Sequence, residues 1–298
     1  MTVNKNEIEE WFKTLQTNIC NALTNFDTKV EIVQDVWQRE QGGGGCSNAL
    51  RNGRYIEKGG VNFSAVHGEM PEKILKALQL PPAEFYATGI SIVLHPLNPH
   101  CPIIHMNTRY FEMSDGHWWF GGGIDLTPHY IEKEEARLFH SALKQVCDAH
   151  DSSYYNSFKK WADDYFFLAH RNETRGVGGI FFDRLTADEK HNKLQLFHFV
   201  KDVGNIFAPT YIQLMNRKKD MPYNENHLNW QLLRRSRYVE FNLIYDKGTK
   251  FGLDTNGRTE SILMSMPPMA RWEYNYVPQE ESPEQQTLNL LAKNIDWI

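Results

Sequence analysis

Two neighbouring segments constrain the fold of this chain more than any other feature. Residues 84–95 and 103–111 both read as β-strands, and only the proline-rich stretch 96–102 separates them. A link this short cannot hold the crossover that joins two parallel strands, so we expect the pair to be antiparallel. The fold class therefore includes an antiparallel sheet.

Segments with helical periodicity occur on both sides of this strand pair. Residues 8–19 place apolar side chains at helical spacing, which predicts an amphipathic helix. The same period returns over residues 132–171 and 187–216, where lysine and aspartate supply the polar faces. Helices are thus available to cover the sheet.

Further strands are predicted on either side of the helices. Residues 29–67 are rich in β-formers and glycine, and residues 176–183 form another strand candidate. Residues 237–246 alternate like a strand, and a hairpin turn is expected at 246–248. No linker, charge run or internal repeat divides residues 1–298, so we expect one α+β domain, an antiparallel sheet covered by helices.

Charge and cysteine content exclude several classes of protein. A net charge of -5 and a pI of about 6.2 argue against a general nucleic-acid or anionic-membrane binder. The uncharged stretch 85–108 is interrupted by prolines, so it is not a membrane helix, and we expect a soluble, cytoplasmic protein. Without a CxxC pair, neither a cysteine-ligated zinc site nor an iron–sulfur cluster is expected. The scattered cysteines are Cys20, Cys46, Cys101 and Cys147.

Polar side chains form rows on the two central strands. His105, Asn107 and Arg109 share one face of their strand, and Ser91 and His95 share one face of the neighbour. A solvent-facing sheet would explain such rows. A face covered by helices would instead need partners for them, and we favour a ligand cavity lined by these residues.

Glycine-rich and acidic motifs give weaker indications. Gly121–Gly123 indicate either close backbone approach to a ligand or a bulged strand, and Asp125 just beyond them is a candidate acceptor for ligand N–H groups. Residues 42–45 fail the phosphate-loop pattern, and we interpret them as a flexible connection at the mouth of a pocket. The tripeptide 67–69 (HGE) matches the start of a non-haem iron triad, a pattern that is frequent by chance. Four histidines, His95, His105, His140 and His170, can be drawn around a metal, although no local spacing demands it.

Several long and unusual strings occur in order along the chain. They are residues 36–45 (VWQREQGGGG), 60–64 (GVNFS), 95–100 (HPLNPH), 118–128 (WWFGGGIDLTP), 170–173 (HRNE), 237–243 (RYVEFNL) and 260–268 (ESILMSMPP). Together they resemble the oxygen-dependent coproporphyrinogen III oxidases. The resemblance runs from the first helix to residue 274, nearly the whole chain.

The resemblance implies a large antiparallel β-sheet sandwiched between α-helices, acting in haem biosynthesis. Such an enzyme decarboxylates two propionates of coproporphyrinogen III to vinyls, giving protoporphyrinogen IX, with O2 as co-substrate and no organic cofactor. It also implies a homodimer with contacts around Tyr238 to Trp272. A divalent metal on His95, His105, His140 and His170 is a further family-based expectation.

Site residues follow from the same resemblance. His105 matches the proton donor, and Asp125 matches the pyrrole-binding aspartate. Arg109 is expected to orient a substrate carboxylate. The substrate contacts matched in this way are Ser91, Asn107, Thr108, Arg109, Asn256, Gly257 and Arg258.

Two other functions fit the same residues. A tetrapyrrole carrier would also use the aromatic and arginine content, and would bind coproporphyrinogen without forming product. A metal-dependent oxygenase acting on another substrate would use the four histidines, and would lose activity on chelation.

Overall fold

The computed structural model describes residues 3–70, 83–254 and 257–298 of the chain. Its strands are β1 (Glu31–Gln38), β2 (Gly43–Arg51), β3 (Ile56–Glu69), β4 (Glu84–Pro96), β5 (Ile103–Met113), β6 (Trp118–Thr127), β7 (Phe167–Leu168), β8 (Glu173–Thr174) and β9 (Gly179–Leu185). Its helices are α1 (Lys5–Phe26), α2 (Lys133–His150), α3 (Tyr154–Tyr165), α4 (Lys193–Asn205), α5 (Phe207–Lys218), α6 (Glu225–Ile244), α7 (Lys247–Asp254), α8 (Thr259–Leu263) and α9 (Pro283–Asn289).

A seven-stranded sheet with the order β1-β2-β3-β4-β5-β6-β9 forms the centre of the fold. Each neighbouring pair is antiparallel, including β4 and β5 across the short proline-rich link. The antiparallel pairing and the α+β fold class are thereby confirmed. The strands β7 and β8 form a separate two-stranded sheet.

One face of the sheet carries the main apolar core. Ile92 on β4 and Met106 on β5 are fully buried there, against Phe12 of α1 and residues of α2, α4 and α5. The helix α1 begins with a capping box, since the Asn4 side chain accepts from the Glu7 backbone and the Glu7 side chain accepts from the Asn4 backbone. The two-residue period of the strands thus places their apolar side chains on this face of the sheet.

The opposite face is covered over part of its area by α6 and by residues 257–268. Tyr238 of α6 packs against Val93 and Ile103, and the Met264 side chain lies directly over Gly60. The sheet therefore has helices on both faces, as expected. The polar rows lie on this second face.

The strand prediction for residues 237–246 is wrong, because they belong to α6 and the turn after it. The alternating pattern there is also compatible with a helix, and Trp230, Arg234, Tyr238 and Phe241 are buried at helical spacing. The expected hairpin turn is absent as well. Asp246 instead accepts a hydrogen bond of 2.6 Å from the Thr249 backbone at the start of α7.

The glycine run 42–45 is not a connecting loop. Gly43, Gly44 and Gly45 lie in β2 and pair with β3, and Gly44 and Gly45 also pair with β1. A Cβ on Gly43, whose φ is +82°, would approach the Ala65 carbonyl oxygen to 2.2 Å. Glycine is needed there because the strands pass so closely. In the described residues, every helix is too short or too polar to cross a membrane.

Candidate active site

The register of β4 and β5 brings the predicted polar residues onto one face. Ser91 lies opposite Asn107, and Arg109 lies opposite Gly89. His105 continues the row and lies opposite Asp125 of β6. The predicted sharing of a face by His105, Asn107 and Arg109 is therefore confirmed.

Small residues occupy most neighbouring positions of this face. One line across the sheet runs through Gly45, Ser64, Gly89 and Gly121, with Arg109 between the last two. The distance from β2 to β6 corresponds to four strand spacings, about 19 Å. We call this surface the platform; its central positions lack bulky side chains.

A second line across the platform carries short polar groups. It runs through Ser47, Asn62, Ser91 and Asn107 to Gly123. These side chains offer hydrogen bonds without filling the space above the sheet. The platform can therefore receive a large flat ligand with polar edges.

His105, Asp125 and Arg175 form a connected cluster at one end of the platform. His105 Nδ1 lies 2.8 Å from Asp125 Oδ1, and Arg175 donates to the same oxygen over 2.7 Å from Nη2 and to Oδ2 over 3.2 Å from Nε. Asp125 is fully buried, so its charge is balanced by Arg175. Burial alone would lower the pKa of Arg175, but the Asp125 carboxylate outweighs it and raises that pKa.

Aromatic rings surround the Arg175 guanidinium. Its central carbon lies 4.5 Å from the ring centre of Phe166, 4.7 Å from that of Tyr238 and 4.6 Å from that of Phe241. Arg175 Nη1 donates to Asn242 Oδ1 over 2.7 Å. The cluster is thus tied to α6 by packing and by hydrogen bonding.

Sequence reasoning did not assign Arg175 to the site. It lies 50 residues after Asp125, on the connection that follows β8, and no spacing rule links the two. A fully buried carboxylate with a histidine neighbour needs a cation. The need to balance that charge was the signal that pointed to a buried cation near Asp125.

Asp125 lies beneath its neighbours, and the contact with a ligand that the resemblance implies stays a prediction. Both carboxylate oxygens face Arg175 or His105, and the side chain has no exposed surface. The His105 side chain is 20% exposed, and its Nε2 has no hydrogen-bond partner among the described residues.

Two predicted arginines lie on the platform face, each paired with an aspartate. Arg109 donates to Asn107 Oδ1 over 3.0 Å and to Asp183 Oδ1 over 2.8 Å. Arg258 donates to the Asp35 carboxylate on β1. Both are half-buried, and Arg258 Nη1 is itself buried without a hydrogen-bond partner among the described residues.

The remaining predicted contacts differ in placement. Thr108 points to the opposite face and is fully buried, so its side chain does not reach the platform. The Gly257 backbone N–H donates to the Gly252 carbonyl over 2.7 Å. Asn256 lies outside the described residues.

The four histidines assigned to a metal do not meet. Both ring nitrogens of His140 are engaged, by the Tyr155 hydroxyl and the Val177 carbonyl at 2.9 Å each. Those of His170 are engaged by the Tyr245 hydroxyl at 2.8 Å and Glu240 at 2.7 Å.

His95 is fully buried, with Nε2 2.9 Å from the Ser265 carbonyl. Burial and the nearby Arg235 hold its pKa well below the usual range, and burial lowers the pKa of His140 to about 4. Within residues 3–70, 83–254 and 257–298, no three His, Cys, Asp or Glu residues are grouped as metal ligands. The arrangement does not fit a four-histidine site, and the motif at 67–69 gains no partner either.

A separate cavity of about 600 Å³ opens between α1 and the β1–β2 pair. Lys13, Gln16, Trp37, Arg39 and Phe63 help to line it. Gly43, Gly44 and Gly45 line it as well, so part of the run 42–45 does border a pocket, whereas none of the predicted catalytic, substrate or metal residues that the structure describes lies in it. The platform and its buried cluster, rather than this cavity, define the candidate active site.

Comparison with known proteins gives one consistent family. Residues 7–297 match the family model described as coproporphyrinogen III oxidase. The chain is 47% identical to the rat protein named oxygen-dependent coproporphyrinogen-III oxidase, mitochondrial, over 99% of this chain and 69% of the relative. It is 45% identical to the Arabidopsis thaliana protein coproporphyrinogen-III oxidase 1, chloroplastic, over 97% and 78%. It is 44% identical to a Prochlorococcus marinus oxygen-dependent coproporphyrinogen-III oxidase, over 100% and 93%.

Proposed function

This chain belongs to the coproporphyrinogen III oxidase family, and we propose from that premise that it converts coproporphyrinogen III to protoporphyrinogen IX with O2. In each of two steps a propionate, one O2 and one proton give a vinyl group, CO2 and H2O2. The two electrons released by breaking the Cβ–H and C–CO2 bonds reduce O2. The electron-rich porphyrinogen thus supplies the reducing power itself.

The platform is the observation that carries this proposal. A porphyrinogen is a large ring system with carboxylates at its edge, and it needs a broad open surface with cations placed around it. Gly45, Gly89 and Gly121 add no side chains of their own to that surface, and Arg109 and Arg258 stand on it as half-buried cations, each paired with an aspartate. Arginine suits carboxylates because its N–H groups can bind both oxygens at once.

His105 is the group placed to move a proton. Its Nδ1 is oriented by Asp125, its side chain is 20% exposed, and its Nε2 has no hydrogen-bond partner among the described residues. Asp125, held by Arg175, stabilises the protonated imidazole and fixes its orientation. His105 then supplies the proton that each step consumes, and Asn107 and Ser91 hold the ring edge beside it.

O2 is the co-substrate, in keeping with the names of the relatives from rat and Prochlorococcus. The divalent metal implied by the resemblance is a separate matter. His140 and His170 have no free ring nitrogen, so the donors present do not fit that site. We assign His95, His140 and His170 structural roles and place no step on a metal.

Aerobic turnover of coproporphyrinogen III tests the proposed function. Metal-stripped protein is incubated with the substrate, the products are oxidised, and protoporphyrin fluorescence is measured against an anaerobic control. We expect product only with O2. Tight binding without product would indicate a carrier, and turnover only after a divalent metal is restored would contradict the assignment of the histidines.

We also propose that the protein is a homodimer that uses the end of α6 and the surface formed by the residues that follow it. Leu243, Met269, Trp272 and Val277 are between 47% and 73% exposed, a run of large apolar side chains in contact with water. Tyr238, the first residue of the expected contact region, is instead buried within its own chain. Light scattering after gel filtration should give twice the mass of 34.8 kDa, and Met269→Glu should shift it towards one chain.

A cytoplasmic location remains a prediction. The relatives from rat and Arabidopsis are named mitochondrial and chloroplastic, whereas the Prochlorococcus name gives no compartment. Fractionation of the source cells, followed by detection of the chain, tests it directly.

A further inference from the structure

We propose that Asp183 and Asp35 are internal stand-ins for substrate carboxylates, which hold Arg109 and Arg258 in the free protein and compete with the substrate for them. The inference rests on the proposed function, since it assumes that the ligand of the platform is a polycarboxylate. On this proposal the two aspartates set the affinity for the substrate and the rate of product release. Each aspartate lowers the affinity for the substrate and speeds the departure of a product that carries fewer carboxylates.

The Arg109–Asp183 pair occupies the position where a substrate carboxylate would bind. Asp183 Oδ1 lies 2.8 Å from Arg109 Nη2, and the two side chains are 32% and 39% exposed. Asn107 accepts a second hydrogen bond from the same guanidinium. An incoming carboxylate can therefore replace Asp183 without entering the core.

The backbone around Asp183 is shaped to hold this pair. The register between β6 and β9 shifts between Phe120 and Gly122, and Arg184 adopts a left-handed φ of +51°. A Cβ on Gly121 would lie 2.5 Å from Asp183 Oδ1 and 3.0 Å from Arg109 Nε. The pair thus lies directly over Gly121, which only glycine permits.

The same device recurs at the other end of the platform. Asp35 stands on β1, in line with Ser47, Asn62 and Ser91, and accepts from Arg258. It is 48% exposed, so the pair is again open to exchange. Two arginine–aspartate pairs that are open to exchange fit a ligand that brings several carboxylates and loses some of them in the reaction.

The loss of carboxylates during the reaction explains why the exchange favours binding of the substrate and release of the product. Coproporphyrinogen III carries four propionates and protoporphyrinogen IX carries two. When a carboxylate is lost as CO2, the arginine that held it is left without its partner, and the adjacent aspartate can pair with it again. Re-pairing then displaces the product, because an arginine that has lost its partner and is shielded from water by the bound product costs free energy.

The alternative role for Asp183 is to orient Arg109 for binding, and it predicts the opposite sign. We therefore compare wild type with Asp183→Asn at constant ionic strength. The readouts are KM and kcat for coproporphyrinogen III and the Kd of oxidised coproporphyrin III, measured by fluorescence without turnover. The control is Asp148→Asn, which removes one charge from an exposed Lys144 pair on α2.

We expect KM and Kd to fall about two- to fivefold in Asp183→Asn, because an exposed ion pair contributes up to about 1 kcal/mol. Asp148→Asn should leave both unchanged. Product inhibition by protoporphyrin IX should strengthen in Asp183→Asn. A rise in KM and Kd, or no change, would overturn the proposal.

General repulsion between Asp183 and an anionic ligand would also weaken binding. The same substitution made in an Arg109 variant distinguishes repulsion from competition for Arg109. In Arg109→Gln the gain from Asp183→Asn in the Kd of coproporphyrin III should disappear, since the aspartate has no arginine to occupy. A gain that persists in this background would overturn the proposal. The Kd measurement needs no turnover. If wild-type protein binds coproporphyrin III but forms no product, the proposed enzymatic function is refuted, whereas the proposed competition of the aspartates for the arginines can still be tested.

Discussion

Replacing Arg175 with methionine is the perturbation whose size follows most directly from the structure. The change removes the guanidinium that balances the fully buried Asp125 and leaves that carboxylate with His105 alone. Removing one member of a buried ion pair costs about 3–5 kcal/mol, because the remaining charge is left uncompensated. The three aromatic rings around the guanidinium accept the methionine chain, so lost packing adds little.

Urea unfolding at pH 7 measures this loss. Arg51→Met is the matched control, since Arg51 pairs with Glu31 on the surface and should cost at most about 1 kcal/mol. The double variant Arg175→Met with Asp125→Asn removes both charges and should recover a large part of the loss. A single variant that loses less than about 1 kcal/mol, or a double variant no more stable than the single one, would refute the reasoning.

Two further outcomes follow from the described contacts. Glu240 accepts from Arg171, His170 and Trp272, which outweigh its burial and lower its pKa to about 2 from 4.5. Because the pKa of Glu240 is depressed in the folded state, the ionised carboxylate stabilises the fold fully above pH 4.5, and this stabilisation is lost as the pH falls towards 2. The complete effect on the free energy of unfolding is about 3 kcal/mol. Urea unfolding of Glu240→Gln and wild type should therefore differ at pH 7 and converge at pH 2. Gly89→Ala places a Cβ 2.5 Å from the Thr108 carbonyl oxygen, and should cost about 1–3 kcal/mol in thermal unfolding; an unchanged midpoint would contradict the close packing of the platform.

Strand periodicity predicted the part of the site that is local in sequence. Ser91, His105, Asn107 and Arg109 alternate along two strands joined by a short link, so their common face follows from the period of two and antiparallel pairing. Thr108 shows the limit of carrying over a motif, because its place between two platform residues turns its side chain into the core.

Long-range partners were beyond the reach of the sequence. Arg175 and Asp183 reach the site from segments 50 and 74 residues away from their partners, and no spacing rule encodes such pairing. Residues 237–246 were misassigned because a short alternating segment cannot be separated from a helix by pattern alone. Tyr238 faces the sheet only because α6 continues from residue 225. That residues 1–298 form one domain stays a prediction.

The central claim is that His105 moves the proton at the platform, and side-by-side turnover numbers test it most directly. We would measure kcat for coproporphyrinogen III in air with wild type, His105→Asn and, as matched control, His150→Asn, whose histidine pairs with Asp202 away from the platform. The account predicts a fall of about 100-fold or more for His105→Asn and no change for His150→Asn. Full turnover by His105→Asn would contradict it.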